Sequence, residues 1–190
     1  MKILLIGIGI GIVLGIVIYS TLPSADRMNE VKVSVNVYLI EDLTGEFTTS
    51  RSEENVRFLF KEVNRIWKPA KISFVPVGIQ RVTLDAEIIE FVINGGPIEL
   101  PNSDTTLVKT FFVRHLYGSN GLAYTQLYRT FVADVTTVND YRATSHEFGH
   151  VLGLSHVDPE DRLMAGGKNG EQLTEEEIKI ARRLALFQQR

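Results

Sequence analysis

Three of the four histidines of this 190-residue chain fall within eleven residues, in the stretch SHEFGHVLGLSH at positions 145–156. Residues four apart share one face of an α-helix, so His146 and His150 would point in the same direction. Two imidazoles placed in this way can bind one metal ion of the size of zinc at about 2.0–2.1 Å. The spacing therefore predicts a helix that carries two metal ligands.

The residues around these two histidines predict the rest of a catalytic site. Glu147 lies about 100° further around the helix axis than His146, which suits a base beside the metal better than a ligand. Gly153 can adopt the left-handed conformation that ends a helix, so the chain could turn and bring His156 to the metal. Three ligands leave a fourth position open, as in catalytic zinc sites. The motif predicts one catalytic Zn2+.

Composition limits the other functions that this chain could have. The formal net charge is −3, with 20 basic and 23 acidic side chains. This balance does not favour binding to nucleic acid or to an anionic membrane surface, and we expect no nucleic-acid partner. The absence of cysteine excludes disulfides, thiolate metal ligands and a cysteine nucleophile. The length suits one domain with an appendage.

The appendage is predicted at the N-terminus, where residues 3–19 contain no charge. As a helix they would rise about 25 Å, near the short end of what spans a bilayer. The run is longer than the usual apolar part of a signal peptide, and no clear cleavage site follows it. We predict a signal anchor or transmembrane helix over residues 1–23 and a catalytic domain over residues 24–190.

The position of Lys2 favours an orientation in which the protein is exported and membrane-anchored, with its C-terminal domain outside. Secretion after signal cleavage is the alternative. Gly7, Gly11 and Gly15 recur every four residues and resemble a helix-dimerising face, which suggests a homodimer. The competing interpretation is an ordinary apolar helix, because glycine is common in transmembrane helices.

Hydrophobic periodicity predicts a mixed α/β (α+β) domain with a twisted sheet of about five strands and three main helices. The strands are expected at residues 31–40, half-buried, at 71–82, at 105–116, and at 122–136 as two short strands or one bent strand. Pro76 suggests an edge or a bulge. Residues 85–104 show turn patterns but no clear element.

Three segments are predicted to be helical. Residues 51–68 would begin with a capping box of Ser50 and Glu53, and residues 138–153 carry the histidines. Residues 173–189 would begin with a capping box of Thr174 and Glu177. The predicted buried stripe of this last helix consists of Ile178, Ala181, Leu184, Ala185 and Phe187.

The string HEFGHVLGLSH matches the H-E-x-x-H-x-x-G-x-x-H signature of the metzincin zinc peptidases. The later string DRLMAGG resembles their methionine turn, and together the two are most similar to the matrixin (matrix metalloproteinase) branch. The resemblance implies a metzincin-like catalytic domain in which His146, His150 and His156 bind zinc. It also implies that Glu147 is the general base and acid and that Met164 forms a floor beneath the metal.

Two features of vertebrate-type matrixins have no counterpart in this sequence. Their cysteine-bearing propeptide is missing because the chain has no cysteine, and only His115 lies outside the motif to serve a structural zinc. A structural Ca2+ or a second Zn2+ is therefore not supported. We expect His115 to be a packing or surface residue.

The function that follows is a zinc-dependent endopeptidase acting on a peptide or protein substrate. In this family an extended substrate lies antiparallel to an edge strand. Gly121, Leu122, Ala123 and Tyr124 form our candidate for that strand, and the alternative is an ordinary sheet strand. The alternative function is a non-catalytic zinc- or peptide-binding ectodomain anchored to a membrane, although such a site has no need of Glu147 beside the metal.

Overall fold

Strand β1 (Val31–Glu41) lies inside a five-stranded sheet whose order is β2-β1-β3-β5-β4. It runs parallel to β2 (Ile72–Thr83) and to β3 (Val108–Val113), and β3 runs parallel to β5 (Arg129–Ala133). Strand β4 (Gly121–Tyr124) pairs antiparallel with β5 at the edge of the sheet. The prediction of a mixed sheet of about five strands is confirmed.

The computed structural model describes residues 29–100 and 108–188. The predicted anchor, with Gly7, Gly11 and Gly15, lies outside these residues. In the two described ranges, no helix has both the length and the apolar character needed to cross a membrane.

The half-buried character predicted for β1 is wrong for the second half of the strand. Asn36, Tyr38 and Ile40 on its second face are as buried as the valines on its first face. A parallel strand inside a sheet has neighbours on both sides and elements packed on both faces, so its alternating pattern does not show which face meets solvent.

Within residues 29–100 and 108–188, four α-helices cover the two faces of the sheet. Helices α1 (Glu53–Trp67), α3 (Asp140–Val151) and α4 (Glu175–Phe187) enclose one hydrophobic core. Helix α2 (Ala86–Ile93) covers a second core on the other face. The predicted number of three main helices is therefore one too small.

Helix α2 was missed because it is short and almost entirely apolar. It has eight residues, AEIIEFVI, of which Ile89, Val92 and Ile93 are buried at helical spacing. A short apolar run cannot be assigned to helix or strand by periodicity alone. The helix ends at the predicted turn, where Asn94 is the C-cap and Gly95 has a φ of 89°.

The predicted capping box at Ser50 and Glu53 is wrong. The Ser52 hydroxyl accepts a hydrogen bond from the Asn55 amide, and the Asn55 side chain accepts one from the Ser52 amide. Ser50 instead donates its amide and its hydroxyl to Asp134, just beyond β5. The capping pattern was therefore misplaced by two residues because a long-range contact uses the first serine.

The predicted capping box of α4, Thr174 with Glu177, is present. Ala181 and Ala185 are buried as predicted, whereas Phe187 is 64% exposed. The last turn of α4 extends past the edge of the core.

Pro76 lies on the edge strand β2 and also at a bulge. Val35 is in register with Pro76, but the next residue, Asn36, is in register with Gly78. An edge strand tolerates proline because the missing amide hydrogen leaves no neighbouring strand unpaired. Both features predicted from this proline are present.

Candidate metal centre and active-site cleft

Helix α3 carries His146 and His150 and ends where the chain turns back. Asn139 is its N-cap and Leu152 is its C-cap. Gly153 follows with a φ of 80°, and its amide donates to the His150 carbonyl at 2.9 Å. This left-handed residue reverses the chain within three residues of His156.

The turn brings the three imidazoles together. The Nε2 atoms of His146 and His156 are 3.0 Å apart, and the Nε2 of His150 lies 3.1 Å from each of them. A tetrahedral zinc ion with bonds of about 2.0–2.1 Å requires nitrogens about 3.3 Å apart. The spacing of the three nitrogens therefore fits one ion of this size.

The hydrogen bonds made by Nδ1 of His146 and by Nδ1 of His150 leave the Nε2 atom of each ring free to bind a cation. His146 Nδ1 lies 2.8 Å from the Leu163 carbonyl oxygen, and His150 Nδ1 lies 2.9 Å from the Leu154 carbonyl oxygen. A carbonyl only accepts, so each Nδ1 carries the proton and each Nε2 of the neutral ring has a lone pair. Lone pairs that converge at 3.1 Å repel each other unless a cation lies between them.

Burial keeps these rings in the neutral form. It lowers the pKa of His146 to about 4, although the bond to Leu163 opposes this, and the charges of the other histidines and Arg142 add to the shift. Burial also lowers the pKa of His150. Neutral imidazole is the form that binds a metal, so His146 and His150 are in the state that a metal ligand needs.

Glu147 is buried between α3 and β4, with 6% of its surface exposed. A Cβ placed on Gly121 would lie only 2.6 Å from Glu147 Cγ and 2.7 Å from its Oε1, so the carboxylate lies directly against the backbone of β4. Burial raises the pKa of Glu147 to about 8, against the opposing effect of the positive charge of Arg142.

Met164 is fully buried beneath α3. A Cβ on Gly149 would overlap the Met164 sulfur, so the thioether packs directly against the backbone of α3 at this glycine. The Val157 amide donates to the Met164 carbonyl at 3.2 Å. This bond joins the methionine segment to the residue that follows His156.

Sequence reasoning missed Arg142, which lies one helical turn before His146 and lines the cleft. The residue is only 2% exposed and donates to the carbonyls of Leu163, Ala165 and Gly170. Its spacing of four residues from His146 placed it on the metal-binding face, which is the pattern that could have identified it.

The histidines and Glu147 open into a cleft of about 560 Å3 between β4, α3 and the segment after Met164. Gly121, Leu122 and Ala123 line it, as expected for the candidate substrate strand. Tyr124 does not: its hydroxyl donates to the Ile93 carbonyl, and its ring packs edge-on against Phe131 in the second core. Side chains alternate along a strand, so the side chains of Ala123 and Tyr124 point to opposite faces of the sheet.

A larger hollow, of about 640 Å3, lies where α1 and α3 begin. Its central cation, Arg51, pairs with Asp134 at 3.2 Å and with Asp140 at 2.7 Å. These charges join α1, β5 and α3 to one another, which is a structural role.

His115 packs against the Phe47 ring at 5.1 Å, and its Nε2 lies 3.9 Å from Glu46 Oε1. Over residues 29–100 and 108–188, the one cluster of at least three potential metal ligands consists of His146, His150 and His156.

Comparison with known proteins gives the family. The model of the matrixin family, peptidase family M10, matches residues 33–182. No curated protein matches the chain. The solved structures that are similar to it include a zinc-dependent peptidase from Methanocorpusculum labreanum, with 15% identity and a TM-score of 0.49 over 77% of this chain and 99% of that one.

Metalloproteinase-II from Bacteroides fragilis is similar in fold, with 10% identity and a TM-score of 0.55. The match covers 83% of this chain and 55% of that protein. The family match extends from β1 into α4 and includes the complete histidine cluster. The chain therefore belongs to the matrixin family of zinc metallopeptidases.

Proposed function

We propose that the protein is a zinc-dependent endopeptidase that binds one Zn2+ through His146, His150 and His156 and uses Glu147 as general base and acid. One observation carries the proposal. Three imidazole nitrogens converge within 3.1 Å next to a buried carboxylate, at the floor of an open cleft.

Zinc at these nitrogens would supply a Lewis acid that polarises a carbonyl and makes water more acidic. Glu147 would accept the proton of the attacking water on its carboxylate and pass it to the leaving amine. Burial raises the pKa of Glu147 to about 8, and the positive charge of zinc beside it would oppose this shift and favour the carboxylate that takes the proton. Its contact with Gly121 leaves the carboxylate little freedom to move away from the cleft.

The substrate is proposed to bind along β4 as an additional antiparallel strand. Strand β4 pairs with β5 on one side, and its residues 121–123 line the cleft. Main-chain hydrogen bonds to such an edge bind an extended peptide whatever its sequence. Tyr124 would contribute by anchoring the strand through the Ile93 carbonyl and the second core.

Export and anchoring are proposed from the sequence alone. The uncharged run at residues 3–19 after Lys2 supports an anchor over residues 1–23, with the catalytic domain of residues 24–190 outside, and secretion after cleavage is the alternative. Protease treatment of intact cells, with N-terminal sequencing of the product, would separate these two outcomes. Dimerisation through Gly7, Gly11 and Gly15 remains a proposal that cross-linking in membranes would test.

The deciding experiment replaces Glu147 with alanine in the full-length chain. We expect stoichiometric zinc in both wild type and variant, with cleavage of a peptide library by wild type only. Loss of a general base typically slows a reaction by about 10²–10⁴-fold. Glu99→Gln, at an exposed position, serves as the control.

Cleavage by the Glu147→Ala variant at the wild-type rate would contradict the assigned mechanism. A wild-type protein that binds zinc and peptide without cleaving would instead support the non-catalytic ectodomain. Absence of stoichiometric zinc at neutral pH would contradict the proposal as a whole.

A further inference from the structure

Arg142 connects the metal-binding helix to the methionine segment beneath it. Its Nη2 donates to the Leu163 carbonyl at 2.6 Å and also to the Ala165 carbonyl, and its Nε donates to the Gly170 carbonyl at 3.2 Å. Leu163 and Ala165 are the two neighbours of Met164. One guanidinium therefore holds the main chain on both sides of the methionine.

The Leu163 carbonyl is shared between Arg142 and a metal ligand. It accepts from Arg142 Nη2 at 2.6 Å and from His146 Nδ1 at 2.8 Å, so each of its two lone pairs has a donor. The Leu163 amide donates to the Gln172 carbonyl at 2.9 Å, which fixes the peptide from its other side. The orientation of the His146 ring thus depends on a carbonyl whose position Arg142 determines.

Arg142 is buried so deeply that its hydrogen bonds offset the cost of removing its charge from water only if all of them are made. Only 2% of the residue is exposed, and the acceptors given above are main-chain carbonyls. Desolvating a guanidinium is costly unless its hydrogen bonds are made with good geometry. A planar fork can bind several carbonyls at once, which a single ammonium group cannot reproduce.

We propose that Arg142 is a positioning residue for zinc binding: by holding the Leu163 and Ala165 carbonyls, it keeps His146 in the ring orientation and tautomer that direct Nε2 at the metal. This inference rests on the proposed function of the three histidines. It predicts that zinc affinity, and not only catalysis, depends on Arg142. Loss of a partner that orients a metal ligand typically costs about 10–100-fold in metal affinity.

The test compares Arg142→Leu and Arg142→Lys with the same substitutions at Arg182. Arg182 is a matched control because it is 8% exposed and also donates to main-chain carbonyls, those of Ala70, Lys71 and Asn29, where α4 meets the start of β1. The loss of general stability should therefore be similar at both sites. Zinc affinity is measured on full-length protein in detergent by competition with a chelating dye. The visible spectrum of the Co2+-substituted protein reports the ligand geometry.

We expect zinc affinity to fall by about 10–100-fold in Arg142→Leu and by less in Arg142→Lys, and we expect the Co2+ spectrum of the Arg142 variants to change. The Arg182 variants should bind zinc like wild type. The inference is overturned if replacing Arg142 lowers zinc affinity no more than the same replacement of Arg182 does. It is also overturned if Arg142→Lys fails to fold while Arg182→Lys folds, because the fold itself would then require Arg142. A wild-type protein that binds no zinc would refute the proposed function first; unchanged Arg142 variants of an active zinc enzyme would refute this inference alone.

Discussion

At the scale of single residues, Gly121 shows how a side chain that is absent shapes the site. The Glu147 side chain occupies the space that a Cβ on residue 121 would need. Such a Cβ would lie 2.6–2.9 Å from the Cγ, Cδ and Oε1 atoms of Glu147. A glycine in an edge strand normally weakens the strand, so its presence here indicates a close approach of another group.

Replacing Gly121 with alanine should therefore displace Glu147 while leaving the histidines in place. We expect kcat to fall by about 100-fold with zinc binding unchanged, because a shift of about 1 Å in a catalytic group has an effect of this size. Gly78→Ala, whose added Cβ would make an ordinary contact of 3.4 Å with Asn36 Oδ1, is the control. Wild-type kcat in Gly121→Ala would mean that Glu147 does not need its present position.

Asp42 is a second residue whose surroundings determine its chemistry. Burial alone would raise its pKa, but hydrogen bonds from the Thr44 and Thr48 hydroxyls and from the Phe47 and Glu46 amides outweigh burial and lower the pKa to about 2. A folded-state pKa below the value in the unfolded chain adds stability above that unfolded value and loses it as the pH falls through the folded one.

The contribution of Asp42 to the free energy of unfolding should be lost as the pH falls from about 4 to about 2. Asp42→Asn is expected to lower the free energy of unfolding at pH 7 by about 1–2 kcal/mol, because an amide cannot accept all of these bonds. The difference from wild type should shrink as the pH falls from 4 to 2. Urea unfolding over this range, with Glu99→Gln as an exposed control, measures it. A difference that stays constant down to pH 2 would refute the assignment to Asp42.

At the scale of elements, the end of α3 determines where His156 lies. Gly153 has a φ of 80°, and a Cβ there would lie 2.5 Å from Leu184 Cδ1 of α4. The backbone conformation therefore favours glycine at this position, and a Cβ there would also displace the end of the Leu184 side chain.

Gly153→Ala should lower the free energy of unfolding by about 1–3 kcal/mol, from a strained backbone and an overpacked contact. Denaturant unfolding of the metal-free protein measures it, with Gly166→Ala, where a Cβ meets open space, as the control. Adding Leu184→Ala removes the clash but not the backbone strain, so part of the loss caused by Gly153→Ala should disappear. A Gly153→Ala variant as stable as its control would contradict this account.

The elements differ in how well the sequence predicted them. The helix of the histidines and helix α4 were predicted because their periodicity and caps are local. Ser52, the true cap of α1, was missed because Ser50 is equally suitable by type and only its contact with Asp134 excludes it. Helix α2 and the second face of β1 are buried in the same core. The sequence of either segment alone does not show that the other segment helps to cover it.

At the scale of the whole molecule, the metal site adjoins the first of the two cores that stabilise the fold, because Met164 belongs to that core. The described side chains of these cores pack on opposite faces of the sheet, and His156 lies in an exposed turn. The domain has enough apolar core to fold without a metal ion.

Chelation should therefore abolish peptide cleavage without unfolding the protein. Zinc that binds only the folded state stabilises it by about 4 kcal/mol at a thousand times its Kd, so the Tm should fall when zinc is removed. Circular dichroism and calorimetry with and without chelator, followed by zinc addition, test this. Loss of the far-ultraviolet signal on chelation would show that the metal is part of the fold.

The sequence by itself determined which three histidines come together as potential metal ligands, because two lie at helical spacing and the third follows a glycine that ends the helix, all within eleven residues. Only the tertiary structure decided what surrounds them: Gly121 against Glu147, the Leu163 carbonyl on His146, and Arg142 beneath the site. The physical reason is distance along the chain. Helical periodicity relates near neighbours, whereas contacts across 17 or more residues arise only when strands pair and helices pack around them.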